Sequence, residues 1–544
     1  MASRATGMSR QSLLWLLVDG LSRDLYQRLR NRMGIQANHA ATLEPLFPNC
    51  QTPPSLFSIW SAEPVARHGL TGYEIPEAVA GNPAHWRDAF QVWPRESLMA
   101  WDYFAQAGRA IRTCGVPFVQ PERLGAQLLS HTEVYLNPVL PLSIVRAGEC
   151  LRCEALGLSF RVHADEVAMV LVDEQGKQAR IALDETRHLP LSPAIPVGAG
   201  GESHRAFAVR AVIIDQQLCL CVLGFQPIRV HGSLAGERRR QLMDRAYVAG
   251  NPGKLYAAGE LGGRLNEGGS GAAELLLLDL LDSVHQSFVA DVVLALEAGD
   301  SDLTVAYYPV IDLVCHQLLR YLEDASTPQL LFEAIEQRLA RWLDELFAAC
   351  QTASGKETRF IAHSDHGMQP IWWDIRPNRL FLELGWLALD AQGNLDAQRS
   401  NVFFHPAENG LLVLRLEPAG IGMLGAPQVL DALQTAFAEL GEGGFTLLQG
   451  AAATLGSGWR SDLYLQPPPG VRVRADHTGA LIESSRKGGD HSVWSDAASL
   501  KGVLLELGAA PSRPWPQPLC LEQLLPRLLN DLFISNPLTA PGIS

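Results

Sequence analysis

Along the chain, three runs are apolar without alternation: Leu13-Leu14-Trp15-Leu16-Leu17-Val18, Leu303-Thr304-Val305-Ala306-Tyr307-Tyr308 and Phe360-Ile361-Ala362. Short continuous apolar runs fit strands buried on both faces, as in the parallel sheet of an α/β protein. Helical spacing is equally plain elsewhere. From Leu330 to Ala349 a dry face of Leu331, Ile335, Leu339, Trp342 and Leu346 opposes a wet one of Glu333, Gln337, Arg341 and Asp344. Ala272 to Leu296 has the same periodicity, and both segments are expected to cover the sheet. Leu519 to Phe533 also reads as a helix, far from any motif and assigned to packing.

Between Gly148 and His231 the pattern changes to short β-like runs separated by turn residues: Leu158 to Val162, Val167 to Val172, Arg180 to Leu183, Phe207 to Ile214 and Leu218 to Phe225. The expected organisation is a catalytic core in two parts, residues 10–145 and 261–535, interrupted by a β-rich insertion over 146–260. That insertion either caps the cleft and selects substrate or packs distally. Gly259 to Gly271 reads as a flexible link back to the core; no strand precedes it, so its glycines do not make a nucleotide-binding loop.

The candidate chemistry sits where the strand-like runs end. Asp19-Gly20 follows the first run; Asp312 and His316, four apart on an incipient helix, follow the second after a Pro turn; Asp365-His366 follows the third. The carboxyl edge of an open α/β sheet is where ligands bind, and residues four apart share a helix face. Carboxylate and imidazole are both good metal ligands. Later, Gly488-Gly489-Asp490-His491 offers a His in a loop whose glycines allow close approach to a site made elsewhere. Taken singly, each has a plainer reading: a turn residue, a helix cap, a core histidine, a solvated loop.

The stretch Leu46-Phe47-Pro48-Asn49-Cys50-Gln51-Thr52-Pro53-Pro54-Ser55 precedes a helix-like segment and then Ala66-Arg67-His68-Gly69-Leu70-Thr71-Gly72-Tyr73. Here the chain resembles the alkaline phosphatase superfamily, most closely its nucleotide pyrophosphatase/phosphodiesterase (type I phosphodiesterase) branch. In that branch a nucleophilic Thr opens a T-x-P turn and H-G-[IL] follows sixteen residues later, the spacing of Thr52 and His68-Gly69-Leu70. The remaining motifs occur in the family's order at Asp19, at Asp312 and His316, at Ser364-Asp365-His366-Gly367-Met368 and at His491. The resemblance runs from about residue 12 to residue 530, in blocks separated by unmatched sequence, including some 120 residues between His366 and His491. That block opens on Trp372-Trp373, expected in the core rather than in a pocket.

The resemblance implies an alkaline-phosphatase-like three-layer α/β sandwich with a central, mostly parallel sheet. It also implies two divalent ions, zinc by ligand type with manganese or iron as alternatives. One ion would be held by Asp19, Asp365, His366 and Thr52, the other by Asp312, His316 and His491. A threonine hydroxyl is nearly unreactive at neutral pH, so it needs a metal to act as nucleophile. The implied reaction is hydrolysis of a phosphodiester or pyrophosphate in a small phosphorylated substrate through a phosphothreonine. Where the branch has an Asn three residues after the nucleophile, this chain has Ser55, and Pro53 lacks an N–H, so oxyanion donors are fewer than usual. Ser55 and Lys487 are the candidate substrate contacts; Arg486 and Arg67 are more simply read as solvated charge.

Alternatives within the superfamily are a phosphomonoesterase, phosphonate hydrolase, sulfatase or phosphomutase. Typical sulfatases modify a Cys or Ser, which Thr52 cannot replace, and phosphomutases of this kind usually carry Ser. A metal-binding scaffold without catalysis would be expected to lose ligands, and none is lost.

Composition narrows the picture further. The 544 residues, 47% hydrophobic, allow two to four domains with a large core. A net charge of -14 argues against a nucleic-acid polymer as partner, which calls for a basic face. Nine cysteines lie scattered; Cys150-x-x-Cys153 has no second pair at zinc-ribbon spacing and reads as structural, and Cys219 and Cys221 read as buried strand thiols. Reduced cysteines without a signal or spanning segment suggest a cytoplasmic protein that does not engage membrane. The sequence does not speak to oligomeric state.

Overall fold

A computed structural model describes residues 12–79, 81–124, 140–197, 202–225, 231, 250–297, 301–355, 358–416, 424–440, 444–456, 458–508 and 514–532. Residues 198–201, 226–230 and 232–249 of the β-rich insertion, and Phe533, therefore lie outside the described residues. The protein is a mixed α/β structure around a seven-stranded sheet, accompanied by several small antiparallel sheets. Along the large sheet the strands run Leu519–Cys520, His39–Glu44, Gly502–Glu506, Arg359–His363, Leu13–Val18, Leu303–Tyr308 and Ile111–Cys114. Only Gly502–Glu506 pairs antiparallel with its neighbours; the other pairings are parallel.

Leu13–Val18 is buried throughout because it lies between two parallel partners and under helices on both faces. Its side chains alternate between two cores. Leu14, Leu16 and Val18 join the helices Ala272–Glu297, Val310–Glu323 and Gln329–Ser354. Leu13, Trp15 and Leu17 join the helices Thr52–Ser61, Ala100–Gln106 and Leu524–Asp531. Burying each such Leu stabilises by about 1.5–3 kcal/mol, so the uninterrupted apolar run is what a strand in the middle layer requires. The two amphipathic segments form the helices Ala272–Glu297 and Gln329–Ser354, which pack on each other.

The β-like runs form two four-stranded antiparallel sheets with a common core that includes Leu151, Val162, Met169, Phe207 and Leu220. On the second sheet Ala208, Val212, Cys219 and Cys221 belong instead to the core beneath the helices, and Arg210 donates to the Asp279 carbonyl on Ala272–Glu297 at 3.3 Å. The second sheet is thus docked onto the helical layer. Cys219 and Cys221 are buried thiols; Cys150 and Cys153 open and close one strand, with Cys150 exposed.

Three expectations change. Gly259–Gly271 is a packed loop rather than a loose link: Leu261 and Arg264 are buried, Arg264 pairs with Glu267, and Gly269 donates to the Arg264 carbonyl. Trp373 is 44% exposed rather than in the core, while half-buried Trp372 lies against Gly470. Leu519–Phe533 is only partly helical. It begins with a short strand beside Leu43–Glu44, and its helix Leu524–Asp531 packs behind the helix that starts at Thr52.

The block between His366 and His491 has its own apolar core, built from Phe381, Val402, Phe404, Leu412, Leu433 and Tyr464 among others. It carries a four-stranded antiparallel sheet and the helix Ala426–Ala436. Among the described residues, no helix is long and apolar enough to cross a membrane.

Candidate metal centre

Three neighbouring parallel strands deliver their carboxyl ends to one place. Asp19 follows Leu13–Val18, with its N–H held by the Tyr308 carbonyl at 2.9 Å. Asp312 lies in the first turn of Val310–Glu323, which begins directly after Leu303–Tyr308. Asp365 and His366 follow Arg359–His363. Gly20, at φ +71°, lets the chain turn there with its Cα against Asp312, where a Cβ would come within 2.9 Å of the Asp312 Cα.

Thr52 opens the helix Thr52–Ser61 with Pro53 and Pro54 behind it; proline suits a first helical turn, where the N–H has no helical partner. His491 arrives from the loop beside Val310–Glu323. Gly488 donates to the His316 carbonyl at 2.8 Å and accepts from the Arg320 N–H at 3.0 Å. A Cβ on Gly489 would sit 2.6 Å from the Cys315 carbonyl oxygen, so this approach needs glycine.

The seven expected ligand residues converge as two adjoining clusters. In one, His366 Nε2 lies 3.4 Å from Asp19 Oδ1, 3.2 Å from Asp365 Oδ2 and 3.2 Å from Thr52 Oγ1. In the other, Asp312 Oδ1 lies 3.4 Å from both His316 Nε2 and His491 Nε2, which are 3.2 Å apart. His366 also comes within ligand spacing of Asp312 and His491, so it adjoins both clusters.

Two observations test whether metal ions fit. Each of the three imidazoles has its Nδ1 on a carbonyl oxygen: His316 on Gly489 at 3.0 Å, His366 on Gly367 at 3.0 Å and His491 on Cys50 at 3.1 Å. A carbonyl can only accept, so Nδ1 carries a proton, and in the neutral ring each Nε2 turns a lone pair inward. Nε2 of His316 thus faces Nε2 of His491, lone pair to lone pair. Second, Asp19 Oδ1, Asp312 Oδ1 and Asp365 Oδ2 are buried without a hydrogen-bond partner, and all three point into the clusters. Orphaned buried carboxylate oxygens are costly unless a cation meets them. The donor set fits divalent ions, and the backbone carbonyls supply the outer shell that orients histidine ligands.

Electrostatics report the same crowding. Burial, with Asp365 and Asp312 nearby, pushes the Asp19 carboxyl well above its usual range, although Tyr307 donates a hydrogen bond to it. Burial likewise raises Asp312 and lowers His491, the latter helped by the neighbouring His366 and His316. Burial opposes charge on His366, but adjacent Asp365 outweighs it and the imidazole is raised.

Other expected residues lie differently. Ser55 is fully buried one turn along the Thr52 helix, its hydroxyl without a hydrogen-bond partner. Lys487 pairs with Asp490 at 3.3 Å, and its charge reaches Asp312 and His316. Arg67 is a surface residue paired with Glu63. His68 does not enter the clusters. Its Nδ1 accepts from the Leu70 N–H at 3.1 Å, so Nε2 donates to Ser58 Oγ at 3.0 Å, bracing the Thr52 helix from the side.

Sequence reasoning gave no role to Tyr73 and Tyr307. Tyr73 donates to Thr52 Oγ1 at 2.8 Å, and Tyr307 to Asp19 Oδ2. Tyr73 lay in the quoted H-G-L segment and Tyr307 at the end of a strand run. An aromatic hydroxyl at the sheet's ligand edge was the available signal.

Fold and clusters together define an α/β protein with a candidate metal centre at the carboxyl edge of its central sheet. No family model matches the chain, and no curated protein matches its sequence. Among solved structures it is similar to human ectonucleotide pyrophosphatase/phosphodiesterase 5, at 12% identity and a TM-score of 0.46 over 96% of both chains. An inactive form of the murine protein in complex with AMP aligns at 12% identity and a TM-score of 0.45, also over 96% of both chains. Phosphonoacetate hydrolase from Sinorhizobium meliloti, in complex with phosphonoformate, aligns at 10% identity and a TM-score of 0.40 over 96% of both chains. At such scores the functional reading rests on this chain's own residues.

Proposed function

We propose that the protein is a metal-dependent phosphohydrolase of the alkaline phosphatase superfamily, in its nucleotide pyrophosphatase/phosphodiesterase branch, cleaving a phosphodiester or pyrophosphate in a small substrate. The observation that carries the proposal is the convergence of three orphaned carboxylate oxygens and three inward-facing Nε2 lone pairs beside Thr52 Oγ1. Asp19, Asp365, His366 and Thr52 would hold one ion, and Asp312, His316 and His491 the other; mixed carboxylate and imidazole ligands suit zinc, with manganese or iron as alternatives.

Two such ions, when bound, acidify hydroxyl and water and neutralise phosphoryl oxygens. The chain supplies the nucleophile and its orientation. Thr52 sits at the N-terminus of a ten-residue helix, whose dipole favours the incoming anion. Its Oγ forms a bond to phosphorus as the bond to the leaving oxygen breaks, the Thr52 proton passing to solvent and the leaving oxygen taking one up. Water then attacks the phosphothreonine, the bond to Thr52 Oγ breaks, and the hydroxyl is reprotonated.

Hydrolysis of bis-p-nitrophenyl phosphate and p-nitrophenyl phosphate, each with and without a chelator, tests the proposal. Chelator-sensitive release is expected, faster from the diester, and lost in Thr52→Ala. No metal-dependent release from either ester, with Thr52→Ala indistinguishable from the parent, would overturn it.

A further inference from the structure

Thr52 is fully buried, and the group that covers its hydroxyl is a phenol. Tyr73 donates to Thr52 Oγ1 at 2.8 Å, while on the other side Thr52 Oγ1 meets the His366 Nε2 lone pair at 3.2 Å. In the neutral, ion-free arrangement the Thr52 proton is directed at His366 and an oxygen lone pair at Tyr73; an ion held by His366 and Thr52 would replace that proton and leave the bond from Tyr73 available.

The phenol is held there by more than this one bond. The Tyr73 N–H donates to Gln51 Oε1 at 2.9 Å, Asn49 Nδ2 donates to the Thr71 carbonyl at 2.6 Å, and the Tyr73 carbonyl accepts from the Ala89 N–H at 2.9 Å. Residues 71–73 are thus zipped along residues 49–52. The ring also packs edge-on against Phe90, with centroids 6.2 Å apart. A donor fixed in this way costs no reorganisation when charge develops beside it.

We propose that Tyr73 is a catalytic residue of the phosphoryl transfer, its O–H hydrogen-bonding the Thr52 oxygen before attack and a non-bridging phosphoryl oxygen during it. This inference rests on the phosphohydrolase reading and adds a specific electrophilic donor to it. As the bond from Thr52 Oγ to phosphorus forms, Oγ becomes an ester oxygen and a poor acceptor. The non-bridging oxygens on the same phosphorus are anionic and become the better partner. The hydrogen bond therefore strengthens toward the transition state, the condition for it to raise the rate rather than only the binding. The demand for such a donor is high here, because Pro53 offers no N–H beside the nucleophile.

The test compares the parent and Tyr73→Phe as full-length, metal-loaded protein, using hydrolysis of bis-p-nitrophenyl phosphate, inhibition by orthovanadate, inhibition by inorganic phosphate, and metal content. Expected for Tyr73→Phe is a fall in kcat of about 10²–10³-fold with KM nearly unchanged, the usual scale for removing one transition-state donor. Orthovanadate, which imitates the five-coordinate phosphorus, should weaken by a similar factor, while phosphate inhibition and bound metal hold. Unchanged kcat and orthovanadate inhibition in Tyr73→Phe, or losses that follow a loss of metal, would overturn the role of Tyr73 and leave the phosphohydrolase intact. A parent without chelator-sensitive hydrolysis would overturn both.

Discussion

The imidazoles of His366 and His491 lie face to face, with ring centroids 3.7 Å apart and planes within 13° of parallel. One ring comes from the edge of the central sheet and the other from a loop 125 residues later, so the stack joins the two clusters across an inserted block. His366 is also within ligand spacing of residues on both sides. Removing it should therefore unsettle both clusters, whereas removing His316 should affect one. His366→Ala is expected to purify with few bound ions and no hydrolytic activity, and His316→Ala with about one ion per chain fewer than the parent. Metal analysis of the purified proteins decides this, with thermal unfolding reporting whether the fold persists. Two ions retained in His366→Ala would sink the shared role.

Gly489 makes a second prediction because it serves both histidines of one cluster. Its carbonyl accepts from His316 Nδ1, and an added Cβ would lie 2.6 Å from the Cys315 carbonyl and 2.7 Å from Met368 Sδ. The backbone would have to move away from Val310–Glu323 and carry His491 with it. Gly489→Ala should lose about 1–3 kcal/mol of stability, the cost of overpacking, together with metal affinity at the Asp312, His316 and His491 cluster. Denaturant titration and calorimetric metal binding measure the two effects; wild-type values in both would rule out the close approach as a constraint.

Much of this centre was legible in sequence because metal ligation uses few residue types and the strand ends fix where they fall. Asp19, Asp312 and Asp365-His366 each stand just beyond an apolar run, and those runs became the three neighbouring parallel strands at the middle of the sheet. Tyr73 was not assigned a role because its role depends on the pairing of residues 71–73 with 49–52, which no periodicity encodes. The packing of Leu524–Asp531 behind the Thr52 helix joins segments over 450 residues apart. Trp373 misled because its average burial says nothing of a strand in a small three-stranded sheet with one face outward.

Metal removal should be visible as instability of the whole fold. Without cations, Asp19 Oδ1 and Asp365 Oδ2 crowd His366, and Asp312 Oδ1 crowds His366 and His491, all of them buried with no hydrogen-bond partner for the three carboxylate oxygens. Ions that bind only the folded chain stabilise it by mass action, about 2.7 kcal/mol per site at a hundred times the dissociation constant. Treatment with a chelator should lower Tm, and zinc should restore it in the parent but not in a variant that combines Asp19→Asn with Asp312→Asn. Equal Tm values with and without chelator in the parent would argue against resident ions.

His68 offers a prediction on pH that is separable from the metal centre. Burial lowers its pKa from 6.5 to about 3, and its ring must stay neutral to accept from the Leu70 N–H while donating to Ser58 on the Thr52 helix. The folded pKa lies below the unfolded one, so the unfolded chain binds the extra proton as pH falls. The stability contributed by neutral His68 is fully present above about 6.5 and is lost progressively as pH falls toward about 3. Between pH 7 and pH 5 that loss amounts to about 2 kcal/mol. His68→Asn should be less stable than the parent at pH 7.5, because it gives up the brace to Ser58, yet the gap should narrow by about that amount at pH 5. Urea unfolding of chelator-treated parent and variant at the two pH values measures it, and a gap that stayed constant or widened would show that His68 is not held neutral in the fold.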